Sequence, residues 1–86
     1  MRLKDRIAIV TGGGRNIGRA ISLSLAKAGA DIAIADIDID SAKGTCQDIR
    51  DLGRDALIIK TDITKKEEID NLVNKTIEKF GRIDIL

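Results

Sequence analysis

Thr11-Gly12-Gly13-Gly14-Arg15-Asn16-Ile17-Gly18 is the stretch on which the reading of this chain turns. It follows the apolar run Ile7-Ala8-Ile9-Val10, which has the composition of a strand buried on both faces. It leads into apolar positions at Ile17, Ile21, Leu25 and Ala28, whose spacing is helical. Three consecutive glycines let the backbone turn tightly and place no side chain between the chain and a ligand. The helix that follows offers unpaired N–H groups and the positive end of its dipole, so the natural guest of such a turn is an anion of the pyrophosphate type.

Working outward, the pattern of strand, turn and helix repeats. The first strand is expected over residues 6–11 and the first helix from Asn16 to Ala28, with Gly29 closing it. Asp31-Ile32-Ala33-Ile34-Ala35-Asp36 reads as a second strand. A helix over Ser41 to Leu52 should bury Ala42, Cys46 and Ile49 and stop at Gly53. Ala56-Leu57-Ile58-Ile59-Lys60 reads as a third strand, ending in Thr61-Asp62. Thr64 and Glu67 have the spacing of a capping box, and Ile69, Leu72, Val73, Thr76, Ile77 and Phe80 follow helical periodicity up to Gly81. Ile83-Asp84-Ile85-Leu86 would open a fourth strand. This βαβαβαβ order predicts an α/β fold of the Rossmann type, the first half of a doubly wound parallel sheet with strand order 3-2-1-4. Residues 1–86 are read as the N-terminal part of one such domain.

Composition narrows the function classes. Fifteen Lys and Arg stand against fourteen Asp and Glu, interspersed, for a net charge of +1, so no nucleic-acid patch or polybasic membrane segment stands out. One Phe and no Trp or Tyr remove the stacking platforms of a single-strand binder. The single Cys46 and the absence of His exclude an intrachain disulfide framework and argue against a metal site. Met-Arg-Leu-Lys-Asp is no secretory leader, and no apolar run is long enough to span a bilayer, which points to a cytoplasmic protein.

The candidate chemistry is binding. Asp36 lies at the end of the second strand, 18 residues beyond Gly18, where a carboxylate can accept hydrogen bonds from the ribose hydroxyls of a dinucleotide. A 2′-phosphate would meet this carboxylate with a repulsion of several kcal/mol at roughly 4 Å and an effective dielectric near 20, before screening. NAD is therefore expected in preference to NADP. Arg15 in the turn argues in the other direction, since a guanidinium can pair with a phosphate, but a flexible arginine weighs less than a carboxylate fixed at a strand end.

The run from Thr11 to Gly18 resembles the T-G-x-x-x-G-x-G cofactor motif of the short-chain dehydrogenases/reductases, and the resemblance extends over all 86 residues. By overall likeness its relatives within that family would be expected among bacterial 3-oxoacyl-carrier-protein reductases, sugar dehydrogenases and diol dehydrogenases. Asp36 matches the family's NAD-selecting acid, Asp62-Ile63 the pair that meets the adenine, and Phe80-Gly81-Arg82-Ile83-Asp84-Ile85-Leu86 the approach to its Asn-Asn-Ala-Gly segment. The resemblance implies cofactor contacts from Gly12, Gly14, Arg15, Asn16, Ile17, Gly18, Asp36, Ile37, Asp62 and Ile63. Asn16 replaces the motif's middle glycine, and Asn is the non-glycine residue that best tolerates a left-handed backbone.

The resemblance further implies an NAD(H)-dependent oxidoreductase that interconverts a small-molecule alcohol and a carbonyl by hydride transfer. The intact protein would be a homo-oligomer with no nucleic-acid or membrane partner. The family's catalytic Ser and Tyr-x-x-x-Lys belong after Leu86, so no catalytic residue is assigned, and the 86-residue chain alone is expected to be inactive. The alternative is a non-catalytic dinucleotide-binding module, or half-domain, that completes its sheet with a partner. A methyltransferase on a similar sheet matches the Thr-Gly entry and Asp62-Ile63 less well, and a P-loop reading lacks its Gly-Lys-Ser/Thr.

Overall fold

The structure is a computed structural model that describes residues 3–12 and 16–85. The apolar runs become the strands β1 (Ile7–Thr11), β2 (Asp31–Asp36) and β3 (Ala56–Lys60), and the segments between and after them become α1 (Asn16–Lys27), α2 (Ile39–Asp51) and α3 (Lys66–Phe80). All pairing is parallel: Ile7 lies opposite Asp31 and Thr11 opposite Ala35, while Ile32 lies opposite Ala56 and Asp36 opposite Lys60.

Side chains alternate across this sheet as the strand period of two requires. Ala8, Val10, Ile32, Ile34 and Ala56 face α1 and α2, where they pack with Ala26, Ala42, Cys46 and Ile49. Ile9, Ala33, Ala35 and Ile59 face α3 and meet Leu72, with Phe80 and Ile83 at the margin. Helices therefore cover both faces, which makes the fold α/β and Rossmann-like. Alanines at Ala8, Ala33, Ala35 and Ala56 are at most 1% exposed, and their small size lets the helices approach the sheet closely. Two buried hydroxyls are satisfied within their own helix: Ser22 donates to the Gly18 carbonyl at 2.9 Å and Thr76 to that of Leu72 at 2.7 Å.

Four points refine the reading of the sequence. First, among the described residues the fourth strand is seen as one parallel bridge, Ala8 to Ile85, so β2 is the middle of the three strands described, with Asp84 and Ile85 beside β1. The 3-2-1 part of the expected order is present; its fourth position is not established among the described residues. Second, α2 begins at Ile39 rather than Ser41 because Asp38 is its N-cap: its carboxylate accepts the Ser41 N–H at 3.3 Å and the Ser41 hydroxyl at 2.7 Å. Third, the Thr64–Glu67 capping box does not form. Lys65 occupies the N-cap of α3 without a side-chain cap, and the Thr64 hydroxyl donates instead to Asp62 Oδ1 at 2.6 Å. Fourth, Ile17 and Ile21, two positions of the apolar stripe of α1, lie outside the core. They are 77% and 46% exposed, and α1 buries Ser22 and Ala26 in their place. Their stripe borders a groove of about 300 Å³ along the outer edge of β1, shared with Ile9, Val10 and Ile85.

Candidate functional site

Parallel strands deliver their C-terminal ends to one rim of the sheet, and ligands of open α/β sheets bind outside that rim. Here Gly12, Ala35, Asp36, Ile37, Thr61, Asp62 and Ile63, from the ends of β1, β2 and β3, line a pocket of about 210 Å³.

Each wall is fixed by backbone bonding. Gly12 leaves β1 with φ 65°, its N–H donating to the Ala35 carbonyl at 2.7 Å; a Cβ there would meet nothing within 4 Å, so glycine is required by the dihedral angle rather than by space. Asp36 is 6% exposed, and its Oδ1 accepts the Asp38 N–H at 3.0 Å, which seats the carboxylate at the N-terminal end of α2. The Asp36 carbonyl in turn accepts the Thr61 N–H at 3.1 Å, tying the end of β2 to the loop after β3. Thr61 is buried and its hydroxyl donates to the Ile59 carbonyl at 3.1 Å.

Asp62 accepts the Thr64 N–H at 2.9 Å and the Thr64 hydroxyl on one oxygen, Oδ1. These two bonds, the hydroxyl's first, hold its carboxyl below the usual carboxylate range, and nearby Lys65 adds to the effect, so Asp62 is an anion at neutral pH. Ile37 and Ile63 flank the opening and are each 58% exposed. The thiol of Cys46, by contrast, is buried under α2 and pushed up by burial, which makes it unreactive.

Of the residues singled out in the sequence, Gly12, Asp36, Ile37, Asp62 and Ile63 come together in this pocket. Asn16 starts α1 with φ 52°, the left-handed conformation a glycine would supply. Ile17 and Gly18 line the groove beside β1 instead of the pocket, and Gly14 and Arg15 lie outside the described residues. Ala35, Thr61 and Glu68 escape the sequence reading. Ala35 and Thr61 adjoin the two aspartates and contribute chiefly through backbone, which leaves no side-chain signature. Glu68, whose Oε1 accepts the Asp62 N–H at 2.9 Å, has one in hindsight: a carboxylate in the first turn of a helix is placed to reach back to the preceding loop.

A parallel sheet with a glycine turn after its first strand and an acid at the end of its second defines a nucleotide-binding class of α/β protein. The family model for short chain dehydrogenases matches residues 6–86, and the chain belongs to that family. It is 38% identical over 86 residues to the 7alpha-hydroxysteroid dehydrogenase of Escherichia coli (strain K12), covering 100% of this chain and 34% of that protein. A crystal structure of hydroxysteroid dehydrogenase from Escherichia coli superposes with a TM-score of 0.95 at 39% identity, covering 99% of this chain and 36% of the other. The crystal structure of an NAD+-bound xylitol dehydrogenase also gives 0.95, at 30% identity, over 99% of this chain and 33% of the other. The chain thus spans about a third of the length of the relatives it matches.

Proposed function

We propose that the pocket takes the adenosine half of a nicotinamide dinucleotide, NAD in preference to NADP, and that the glycine turn before α1 takes its pyrophosphate. The observation that carries this reading is the convergence of two carboxylates, Asp36 and Asp62, and two exposed isoleucines, Ile37 and Ile63, on one opening beside Gly12. The residues fit the group. Asp36 is an acceptor for ribose hydroxyls, the isoleucines offer apolar faces to a purine, and an Asp62 oxygen beside the Ile63 N–H matches the 6-amino group and N1 of adenine. A 2′-phosphate would meet the Asp36 charge, and this is the physical ground for preferring NAD.

Bound, the nicotinamide accepts or delivers a hydride. This chain's own part is to hold and orient the far end of the cofactor; none of its residues is assigned a proton or a substrate. The activity proposed for the intact protein is the interconversion of a small alcohol and a carbonyl. Residues 1–86 are taken as the N-terminal part of its single Rossmann domain, with the catalytic part following, a reading supported by a match to about a third of each relative. The same reading makes the intact protein a cytoplasmic homo-oligomer without nucleic-acid or membrane partners; among the described residues no helix is long and apolar enough to cross a membrane.

Calorimetric titration with NAD and with NADP tests the reading. NAD should bind the more tightly, by about tenfold or more given one desolvated like-charge contact. Equal affinities, or NADP the tighter, would remove the assignment of Asp36.

A further inference from the structure

The loop that carries Asp62 is held from behind by α3. Asp62 donates its N–H to Glu68 Oε1 at 2.9 Å, and its carbonyl accepts the Lys65 N–H at 3.0 Å. Its Oδ1 is taken up by Thr64 through both the N–H and the hydroxyl. Among the described residues, Asp62 Oδ2 and the Ile63 N–H enter no hydrogen bond, and both residues line the pocket. One acceptor and one adjacent donor therefore remain for a ligand.

Glu68 is well placed to fix that pair. It sits in the first turn of α3, a regular helix, and its own N–H bonds to the Lys65 carbonyl at 3.1 Å. Its side chain is 35% exposed, with Oε2 facing the Lys65 ammonium at 3.9 Å and Oε1 turned to Asp62. Nothing else in the described structure accepts the Asp62 N–H, and a free peptide group in a turn can rotate. Rotation of the Asp62 backbone would carry the carboxylate and the following Ile63 N–H with it.

We propose that Glu68 is a positioning residue for base recognition: by accepting the Asp62 N–H it aims Asp62 Oδ2 and the Ile63 N–H at a six-membered purine edge that donates at position 6 and accepts at N1. Adenine has that edge, while hypoxanthine presents the reverse at both positions. The inference rests on the reading of the pocket as an adenosine site, so its test separates the two. ADP and IDP share ribose and pyrophosphate and differ only in the base; their affinities are measured by calorimetry for the protein and for its Glu68→Ala and Glu68→Gln variants.

The protein should bind ADP more tightly than IDP. Glu68→Ala should lose roughly three- to tenfold of that preference, the worth of one poorly aimed hydrogen bond, through weaker ADP binding with IDP affinity held within about twofold. Glu68→Gln keeps a side-chain acceptor and should keep the preference. A Glu68→Ala variant with undiminished preference, or one that weakens ADP and IDP alike, overturns the role of Glu68 and leaves the pocket reading standing. Loss of preference in Glu68→Gln equal to that in Glu68→Ala overturns it too, since charge rather than the accepted hydrogen bond would then be at work. Failure of the unaltered protein to prefer ADP overturns the adenosine reading itself.

Discussion

Asp84 accepts the backbone N–H of Ile7 on Oδ2 at 2.9 Å, across 77 residues of chain, and so fastens the segment after α3 to the first residue of β1. Its other oxygen faces two guanidiniums, Arg6 at 3.3 Å and Arg82 through Nε at 3.1 Å. With the Ile9 N–H bonded to the Ile85 carbonyl at 2.9 Å, this is what keeps Ile85 beside β1.

The arrangement makes the contact pH-dependent. Hydrogen bonding from Arg82 and then from the Ile7 N–H holds the Asp84 carboxyl below the usual carboxylate range. A carboxyl lowered in the folded state stabilises the fold fully above its unfolded pKa of about 3.9 and loses that contribution as pH falls through the lower folded value. Asp84→Asn should therefore be less stable than the parent at pH 7, and the gap should close towards pH 2. Denaturant midpoints followed by circular dichroism at several pH values measure this. A gap that stays constant over that range would mean that the charge of Asp84 contributes nothing.

The two sides of the sheet are unequally covered, and this can be read by truncation. Ile49 of α2 is fully buried among Cys46, Ile34 and the alanines, so Ile49→Ala should cost about 2–5 kcal/mol. Ile77 of α3 is 47% exposed, and Ile77→Ala should change stability by no more than about 0.5 kcal/mol. Urea titrations of the two variants make the comparison. A cost for Ile77→Ala matching that of Ile49→Ala would reveal that this side of α3 is covered in solution.

Two glycines should respond to alanine with opposite signs. Gly81 ends α3 in the left-handed region at φ 84°, its N–H closing on the Ile77 carbonyl at 2.7 Å, so Gly81→Ala should destabilise by about 1 kcal/mol through strain alone. Gly44 lies inside α2, and a methyl group there would meet nothing within 4 Å, so Gly44→Ala should stabilise by roughly 0.5–1 kcal/mol through helix propensity. Thermal unfolding of both variants gives the signs, and a stabilising Gly81→Ala would contradict the left-handed cap.

These particulars show where sequence was legible. β2 and β3 fall on the expected residues because each is an unbroken apolar run closed by charged or turn residues at both ends. Helix starts were harder: Asp38, Asp40 and Ser41 all suit an N-cap, and only the fold shows that Asp38 takes it. The Thr64–Glu67 box failed for a related reason, since the Thr64 hydroxyl found the nearer Asp62 carboxylate. Periodicity grouped Ile17 with Ile21 on one side of α1, but which side meets the sheet depends on what lies across from it. In the pocket, the placement of Asp36, Asp62 and the isoleucines could be read from spacing and resemblance, whereas Glu68 bonds another residue's backbone: its place in the first turn of α3 is a sequence signal, but the partner it reaches is seen only in the folded loop.

Asp36 separates charge from hydrogen bonding. Its Oδ1 accepts the Asp38 N–H at 3.0 Å, and an asparagine can keep that bond through its side-chain oxygen while losing the negative charge. Asp36→Asn should therefore retain the end of β2 and the start of α2, which stability measurements would confirm. The ribose contacts proposed for it should weaken modestly, because a neutral acceptor binds a hydroxyl less strongly than a carboxylate does. The larger effect falls on a 2′-phosphate. Removing one like charge at roughly 4 Å, after allowance for screening, is worth on the order of 1 kcal/mol or more, so the ratio of NADP to NAD affinity should rise by about fivefold or more. Calorimetry with both dinucleotides measures the ratio directly. Should it stay unchanged while NAD binding weakens, Asp36 would act as a ribose acceptor without setting the choice of cofactor.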